Sequence, residues 1–131
     1  MKVIVAGSRE ITDASIVAQA IRDSGFNITI LSSGTSAGVD SVAEALARQA
    51  GIPVERYVPD WDNLKKMAGP ARQLEQLKTA DAVICIWNGE SRGTRNMQLL
   101  AVNKGKPIFL VNLMTGERLK LNYNKLPQPV A

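Results

Sequence analysis

Short apolar runs alternate with amphipathic stretches along this chain, and each stretch is stopped by Gly or Pro. Residues 2–6 form a run that ends at Gly7, as expected of a strand buried on both faces. Thr12 or Asp13 is placed to cap a helix whose Ile16, Val17, Ala20 and Ile21 share one face, and Gly25 stops it. Residues 27–32 predict a second strand. Val39, Val42, Ala43, Leu46, Ala47 and Ala50 then recur at helical spacing until Gly51 and Pro53. A weaker strand at residues 54–58 leads into residues 59–69, which lack periodicity. Pro70 fits the first turn of a helix running to about Thr79, with Leu74 and Leu77 facing inward. Residues 82–87 are the strongest strand, and Trp87 at its end is expected in the core. Thr94 is placed to cap a helix carrying Met97, Leu100 and Ala101, and residues 108–111 give a fifth strand.

Strands separated by helices in this way imply βαβ units with right-handed crossovers. The expected architecture is α/β: a Rossmann-like three-layer fold with a mostly parallel central sheet. Residues 1–112 would form that domain. Residues 113–131 would add an edge hairpin around Gly116 and a tail from Leu126 to Ala131.

A length of 131 residues with 45% hydrophobic content suits one core. No apolar run approaches the roughly 20 residues of a membrane span. Met1-Lys2-Val3 leads straight into the first strand without the layout of a secretory leader. One cysteine, Cys85, forms no internal disulfide, so the cytoplasm is the simplest compartment, and mid-strand it reads as a small hydrophobe. The formal charge is +4, yet residues 1–103 hold 11 Lys/Arg against 11 Asp/Glu. The excess lies in Lys104, Lys106, Arg118, Lys120 and Lys125, opposed by Glu117 alone. This basic segment suits either a solvated surface or weak contact with nucleic acid.

In an open parallel sheet, ligands bind beyond the carboxyl ends of the strands. Ser33-Gly34-Thr35-Ser36-Ala37-Gly38 joins a strand to a helix there, offering hydroxyls, flexible backbone and a helix N-terminus that favours an anion. The same loop also suits an ordinary capped helix, with its glycines serving turn geometry. Gly7-Ser8-Arg9 follows the first strand similarly, and Arg9 is able to pair with phosphate or with Glu10 or Asp13. Ser91, Gly93 and Thr94 open another helix, where Arg92 and Arg95 add positive charge. Trp61 suits base stacking or anchoring of its loop, and Asp40, Asp60 and Asp62 suit a ribose or a metal. The chain has no His, which excludes histidine acid–base chemistry, Ser-His-Asp triads and His/Cys zinc sites. No cofactor and no metal site are assigned.

Taken together, these motifs resemble the SLOG superfamily of Smf/DprA proteins and Lonely Guy (LOG) enzymes, in particular its YspA/YpsA-related subgroup of bacteria and phages. The resemblance rests on Gly7-Ser8-Arg9, Ser33-Gly34, Gly38-Val39-Asp40, Gly51-Ile52-Pro53-Val54 and Pro59-Asp60-Trp61. It continues through Ala68-Gly69-Pro70-Ala71-Arg72, Ala80-Asp81, Trp87, Ser91-Arg92-Gly93-Thr94 and Gly105-Lys106-Pro107. It implies a pocket for a nucleotide or nucleotide-derived ligand, such as ADP-ribose, an NAD derivative or a cyclic nucleotide, and a homo-oligomer. The implied ligand-binding set is Gly7, Ser8, Arg9, Ser33, Gly34, Thr35, Ser36, Gly38, Asp40, Asp60, Trp61, Arg72, Ser91, Gly93 and Thr94.

The chain departs from the family pattern at three places. The usual loop Gly-Gly-Ala-Arg-Gly-Ala-Asp is here Gly34-Thr35-Ser36-Ala37-Gly38-Val39-Asp40, without its arginine. Gln73 replaces the usual Asn after Arg72. Met97 stands where LOG enzymes carry their catalytic Glu, and a thioether cannot serve as a general base. Three readings follow. The first is a binding module. The second is a hydrolase of N-glycosidic or phosphoester bonds using Asp40 or Asp60. The third is a DprA-like binder of single-stranded DNA using residues 104–131.

Overall fold

Val3, Ile4 and Val5 are fully buried but serve two different cores: Val3 and Val5 pack into one apolar cluster and Ile4 into another. A strand apolar on both faces needs a helical layer on each side. The computed structural model describes residues 1–126 and has both layers. In chain order the elements are β1 (Lys2–Gly7), α1 (Ala14–Ser24), β2 (Ile30–Ser33), α2 (Val39–Gln49), β3 (Val54–Arg56) and α3 (Trp61–Leu64). A 3-10 turn over Lys65–Met67 leads to α4 (Ala68–Thr79), β4 (Ala82–Trp87), α5 (Arg92–Asn103), β5 (Ile108–Asn112) and β6 (Arg118–Leu121).

The sheet order is β3-β2-β1-β4-β5-β6, parallel throughout except for the antiparallel β5–β6 pair. Helices α1 and α2 cover one face through Val17, Ala20, Val39, Ala43 and Ala47. On the other face Leu77 of α4 and Met97 and Ala101 of α5 pack on Ile4, Val83, Cys85 and Ile108. The fold is the expected Rossmann-like α/β arrangement. Order reverses between β1 and β4, because after β3 the chain crosses back to the other side of β1, and their carboxyl ends open a crevice there. Among the described residues, no helix is long and apolar enough to cross a membrane.

Several boundaries differ from the sequence expectation for identifiable reasons. β2 starts at Ile30 because the preceding residues bind the chain's N-terminus, whose ammonium donates to the Asn27 carbonyl and to Thr29 Oγ1. β3 stops at Arg56, with Val58 exposed and Pro59 lacking an N–H for any further ladder bond. α4 begins two residues before Pro70, which sits in the first turn where its missing N–H costs nothing. Leu74 is exposed, not inward-facing, because Gln73, Gln76 and Leu77 take the buried positions of α4. Ser91, rather than Thr94, caps α5, its Oγ accepting from the Thr94 N–H at 3.4 Å. Trp87 is only partly buried and donates its indole N–H to the Ser91 carbonyl at 3.0 Å.

After β6, Tyr123 stacks on Phe26 with ring centroids 5.2 Å apart and donates its hydroxyl to the Ser24 carbonyl at 2.8 Å. This contact ties the segment following β6 to the end of α1. Of the tail expected from Leu126 to Ala131, Leu126 instead packs against the core, and residues 127–131 lie outside the described residues.

Candidate functional site

The loop leaving β2 is shaped by its own polar groups. Ser33 Oγ donates to Glu44 Oε2 at 2.6 Å and accepts from the Thr35 N–H at 3.1 Å. Thr35 is held at φ 67°, a left-handed conformation that costs a β-branched residue energy and persists only where the surroundings enforce it. The Ser36 N–H donates to Asp40 Oδ2 at 3.1 Å, folding the loop back onto the first turn of α2. Gly38 sits at φ 74°, and a side chain there would collide with the Ser8 and Arg9 carbonyls, so glycine lets the two loops touch. The N–H groups of Thr35 and Ser36, candidates for a phosphate cradle, thus already have partners within the protein.

Behind the loop, Glu44 is buried and accepts from Ser33, Arg48 and Arg56. Burial pushes its carboxyl up, but these hydrogen bonds outweigh it and hold it below the usual 4.5. A carboxylate depressed in the fold stabilises it above the unfolded value and loses that contribution as pH falls through the folded value. Glu44→Gln is therefore expected to lower stability at pH 7 by about 1–3 kcal/mol. Urea unfolding at pH 7 and pH 3 measures this, and the gap between variant and parent should shrink at the lower pH.

Arg72 projects from α4 beneath the loop and donates through Nη1 to the Gly34 carbonyl. The same nitrogen lies 3.9 Å from Asp40 Oδ2; Asp40 is buried, 5% exposed, and Arg72 mostly so, 14% exposed. A side chain at Gly34 would overlap the Arg72 guanidinium and come within 2.9 Å of Asp40 Oδ2, so only glycine fits. Burial raises the Asp40 carboxyl to about 6, against the downward pull of the Ser36 N–H and Arg72. Burial likewise lowers Arg72. Arg72 Nε is buried with no hydrogen-bond partner among the described residues.

Asp40 and Arg72 form one wall of a cavity of about 800 Å³ beyond the carboxyl ends of β1 and β4. Of the residues marked in the sequence, Gly7, Arg9, Ser36, Asp40, Trp61, Arg72, Ser91, Gly93 and Thr94 line it. Ser8 instead braces two loops, its Oγ accepting from the Asn88 N–H at 3.0 Å. Ser33, Gly34, Thr35 and Gly38 shape the wall from behind. Asp60 is exposed and caps α3 through the Asn63 N–H, away from the cavity lining. Half-exposed Trp61 stands at the rim with its ring against Gly69.

Gln73, marked in the sequence only as a departure from the family pattern, also lines the cavity, as do Asn88 and Asn96, which were not among the expected ligand-binding residues. Gln73 Nε2 donates to the Gly93 carbonyl at 2.8 Å, and its Oε1 accepts from Asn96 Nδ2 at 2.6 Å, fixing α4 to the first turns of α5. Asn88 Oδ1 accepts from the Glu90 and Ser91 N–H groups, and its Nδ2 donates to Glu10 at 3.2 Å. A signal did exist: Asn96 falls one helical turn after Gly93, and Gln73 is adjacent to Arg72.

Arg9, Arg72 and Arg92 line the cavity alongside Glu10, Asp40 and Glu90, so attraction for an anion is local rather than general. Its cationic side is the start of α5, which has no acidic residue in its first turn and presents its N-terminal backbone beside Arg92. Met97 lies in the lining, 1% exposed. Cys85 is wholly buried, its thiol pushed up to about 12 by desolvation, which makes it inert. Among the described residues no cluster of His, Cys, Asp or Glu suits a metal ion.

Residues 1–63 match the family model YAcAr, the YspA, cpYpsA-related SLOG family. Over these residues, just under half of the chain, the sequence is similar to that family. The stretch covers β1 through α3 and so includes both loops that meet at Gly38. No curated protein sequence matches the chain. Among solved structures it is similar to the DNA processing protein A (DprA) of Streptococcus pneumoniae, with a TM-score of 0.69 and 20% identity over 88% of this chain. The match takes in 52% of that structure, so the chain spans about half the length of its neighbour. At that identity the likeness establishes the shared fold.

Proposed function

We propose that the cavity binds a nucleotide or nucleotide-derived ligand of the ADP-ribose, NAD-derived or cyclic-nucleotide type, and holds it without turnover. The observation that carries this reading is the placement of buried Arg72, Arg9, Arg92 and the start of α5 around one cavity where the strand order reverses. A phosphate suits the start of α5 beside Arg92, where the Ser91 and Thr94 N–H groups serve Asn88 and Ser91 and those of Arg92 and Gly93 are left for a ligand. A base suits Trp61 at the rim. The similarity of residues 1–63 to the YspA, cpYpsA-related SLOG family supports the class of ligand.

Calorimetry with AMP, NAD, ADP-ribose and cyclic nucleotides tests the proposal, with saturable heat expected for at least one of them. Absence of heat across the panel would overturn it. Trp61→Ala is expected to weaken binding about 5–20-fold through lost stacking, and quenching of indole fluorescence on titration gives a second measure.

A hydrolytic reading rests on Asp40, whose carboxyl near pH 6 suits proton transfer. Met97 argues for binding instead, since no second carboxylate stands at that place in α5. Chromatography of the same nucleotides after incubation separates the two readings. The third, contact with single-stranded DNA, would rely on residues 104–126 within the described chain. There Lys106 Nζ already donates to the Ala80 carbonyl and Arg118 pairs with Asp23 at 2.6 Å. Strand binding with a steep salt dependence would favour it. A homo-oligomer is expected on the family resemblance, and sedimentation of the purified protein measures it.

A further inference from the structure

The charged pair in the cavity wall, Asp40 and Arg72, is not built for an anion. Asp40 Oδ2 is taken by the Ser36 N–H and by the approach of Arg72, whereas Oδ1 accepts no hydrogen bond among the described residues. Beside it, Arg72 Nε is a buried donor without a partner. The two neighbouring side chains, both largely withdrawn from water, thus leave a carboxylate oxygen and a guanidinium N–H without protein partners, and a buried unsatisfied donor such as Arg72 Nε is costly. A phosphate oxygen would satisfy Arg72 but would sit against the Asp40 carboxylate. An ammonium would satisfy Asp40 but be repelled by Arg72. A hydroxyl both donates and accepts, and two adjacent hydroxyls serve the two groups together.

We propose that Asp40 and Arg72 form a subsite for the vicinal diol of a ribose, so that the cavity selects ribosyl over deoxyribosyl ligands. The inference rests on the nucleotide reading of the cavity and orients the ligand within it, with the sugar against the α2–α4 wall and the phosphate toward α5. It also gives the Ser33–Gly38 loop a different task from cradling phosphate: its Gly34 carbonyl and Ser36 N–H hold Arg72 and Asp40 in place. The groups facing Asp40 are Arg72 from α4, Arg9 from the loop after β1, Glu44 from its own helix and Cys85 from β4. A hydroxyl donating to Oδ1 favours the ionised carboxylate, so binding should weaken as pH falls below about 6 and Asp40 protonates.

The test takes the tightest binder among AMP, NAD and ADP-ribose and compares it, at pH 7.5, with its singly 2′- and 3′-deoxygenated forms. At the sugar that meets Asp40, loss of either hydroxyl should weaken binding at least about tenfold, because buried partners are left unpaired. Asp40→Asn should lower the affinity of the ribosyl probe to that of its deoxy form, leave the deoxy form nearly unaffected, and abolish the pH dependence. Equal affinities of the ribosyl and deoxy probes for the parent protein would overturn the subsite while leaving the nucleotide reading intact. Failure of every probe to bind would overturn the nucleotide reading and the subsite with it. The deoxy comparison uses the parent chain alone, so it stands even if a variant fails to fold.

Discussion

Asp40→Asn is expected to stabilise the fold at pH 7 by about 3 kcal/mol, although it alters a residue of the candidate site. The Asp40 carboxyl rises from an ordinary 3.8 to about 6 in the fold, and each unit is worth about 1.36 kcal/mol. Below pH 3.8 both folded and unfolded chains carry the proton. Between 3.8 and about 6 the folded chain holds a proton that the unfolded chain has released, so stability falls as pH rises through this window. Above it the loss is complete. Asparagine has no such proton to lose. The variant should therefore exceed the parent in thermal and urea unfolding at pH 7, and the two should converge near pH 3.5. A parent as stable as the variant at pH 7 would show that Asp40 is well solvated or fully compensated by Arg72. Stability gained by removing a buried charge, with ligand affinity lost, is the pattern of a residue kept for function.

Gly34→Ala is the second large effect. A methyl group at this position would lie within 2.8 Å of Arg72 Cζ and 2.9 Å of Asp40 Oδ2, with the guanidinium nitrogen closer still. Neither neighbour is a free surface side chain, so Arg72 must leave its place, and Asp40 then loses its nearest cation. A stability loss of about 2–3 kcal/mol from overpacking is expected, together with a fall in nucleotide affinity of at least about tenfold. Gly93→Ala is the matched control. An added methyl there meets nothing within 4 Å, and in the first turn of α5 alanine costs the helix nothing. Denaturation of the pair distinguishes a crowded wall from a general intolerance of substitution at glycine, and calorimetry is read on Gly34→Ala alone because Gly93 itself lines the cavity.

Much of the scaffold was legible in the sequence because its signals are local. Runs such as residues 82–87, and the Gly25 and Gly51 stops, declare strands and helix ends without reference to the rest of the chain. The burial of Gln73 and Gln76 was not legible, since each depends on a distant partner: Gly93 and Asn96 for the first, Ser32 for the second. Their claim on the inner face of α4 is also what turned Leu74 outward. Short α3 eluded periodicity because four residues, all exposed, carry none.

The site divides the same way. Its loops could be placed at the carboxyl edge from strand order alone, and Arg9, Asp40, Trp61, Arg72 and the Ser91–Thr94 turn do meet around one cavity. Composition cannot tell which loop atoms are already engaged. Ser33, Thr35 and Ser36 resemble phosphate ligands in sequence, but Ser33 serves Glu44, while the Thr35 and Ser36 N–H groups are spent on Ser33 and Asp40.

The two ends of the sheet bear on how this chain survives at high concentration. An open row of backbone N–H and C=O groups invites pairing between molecules, the first step toward aggregation. Here one border is β3, three residues long and carrying Glu55 and Arg56. The other is β6, which runs against the parallel set and carries Arg118 and Lys120, with Arg118 tied to Asp23. Brevity guards the first border and positive charge the second. The apolar runs of β1 (residues 3–6) and β4 (residues 82–87), the segments most prone to self-assembly if exposed, are kept at the centre of the sheet, farthest from either border.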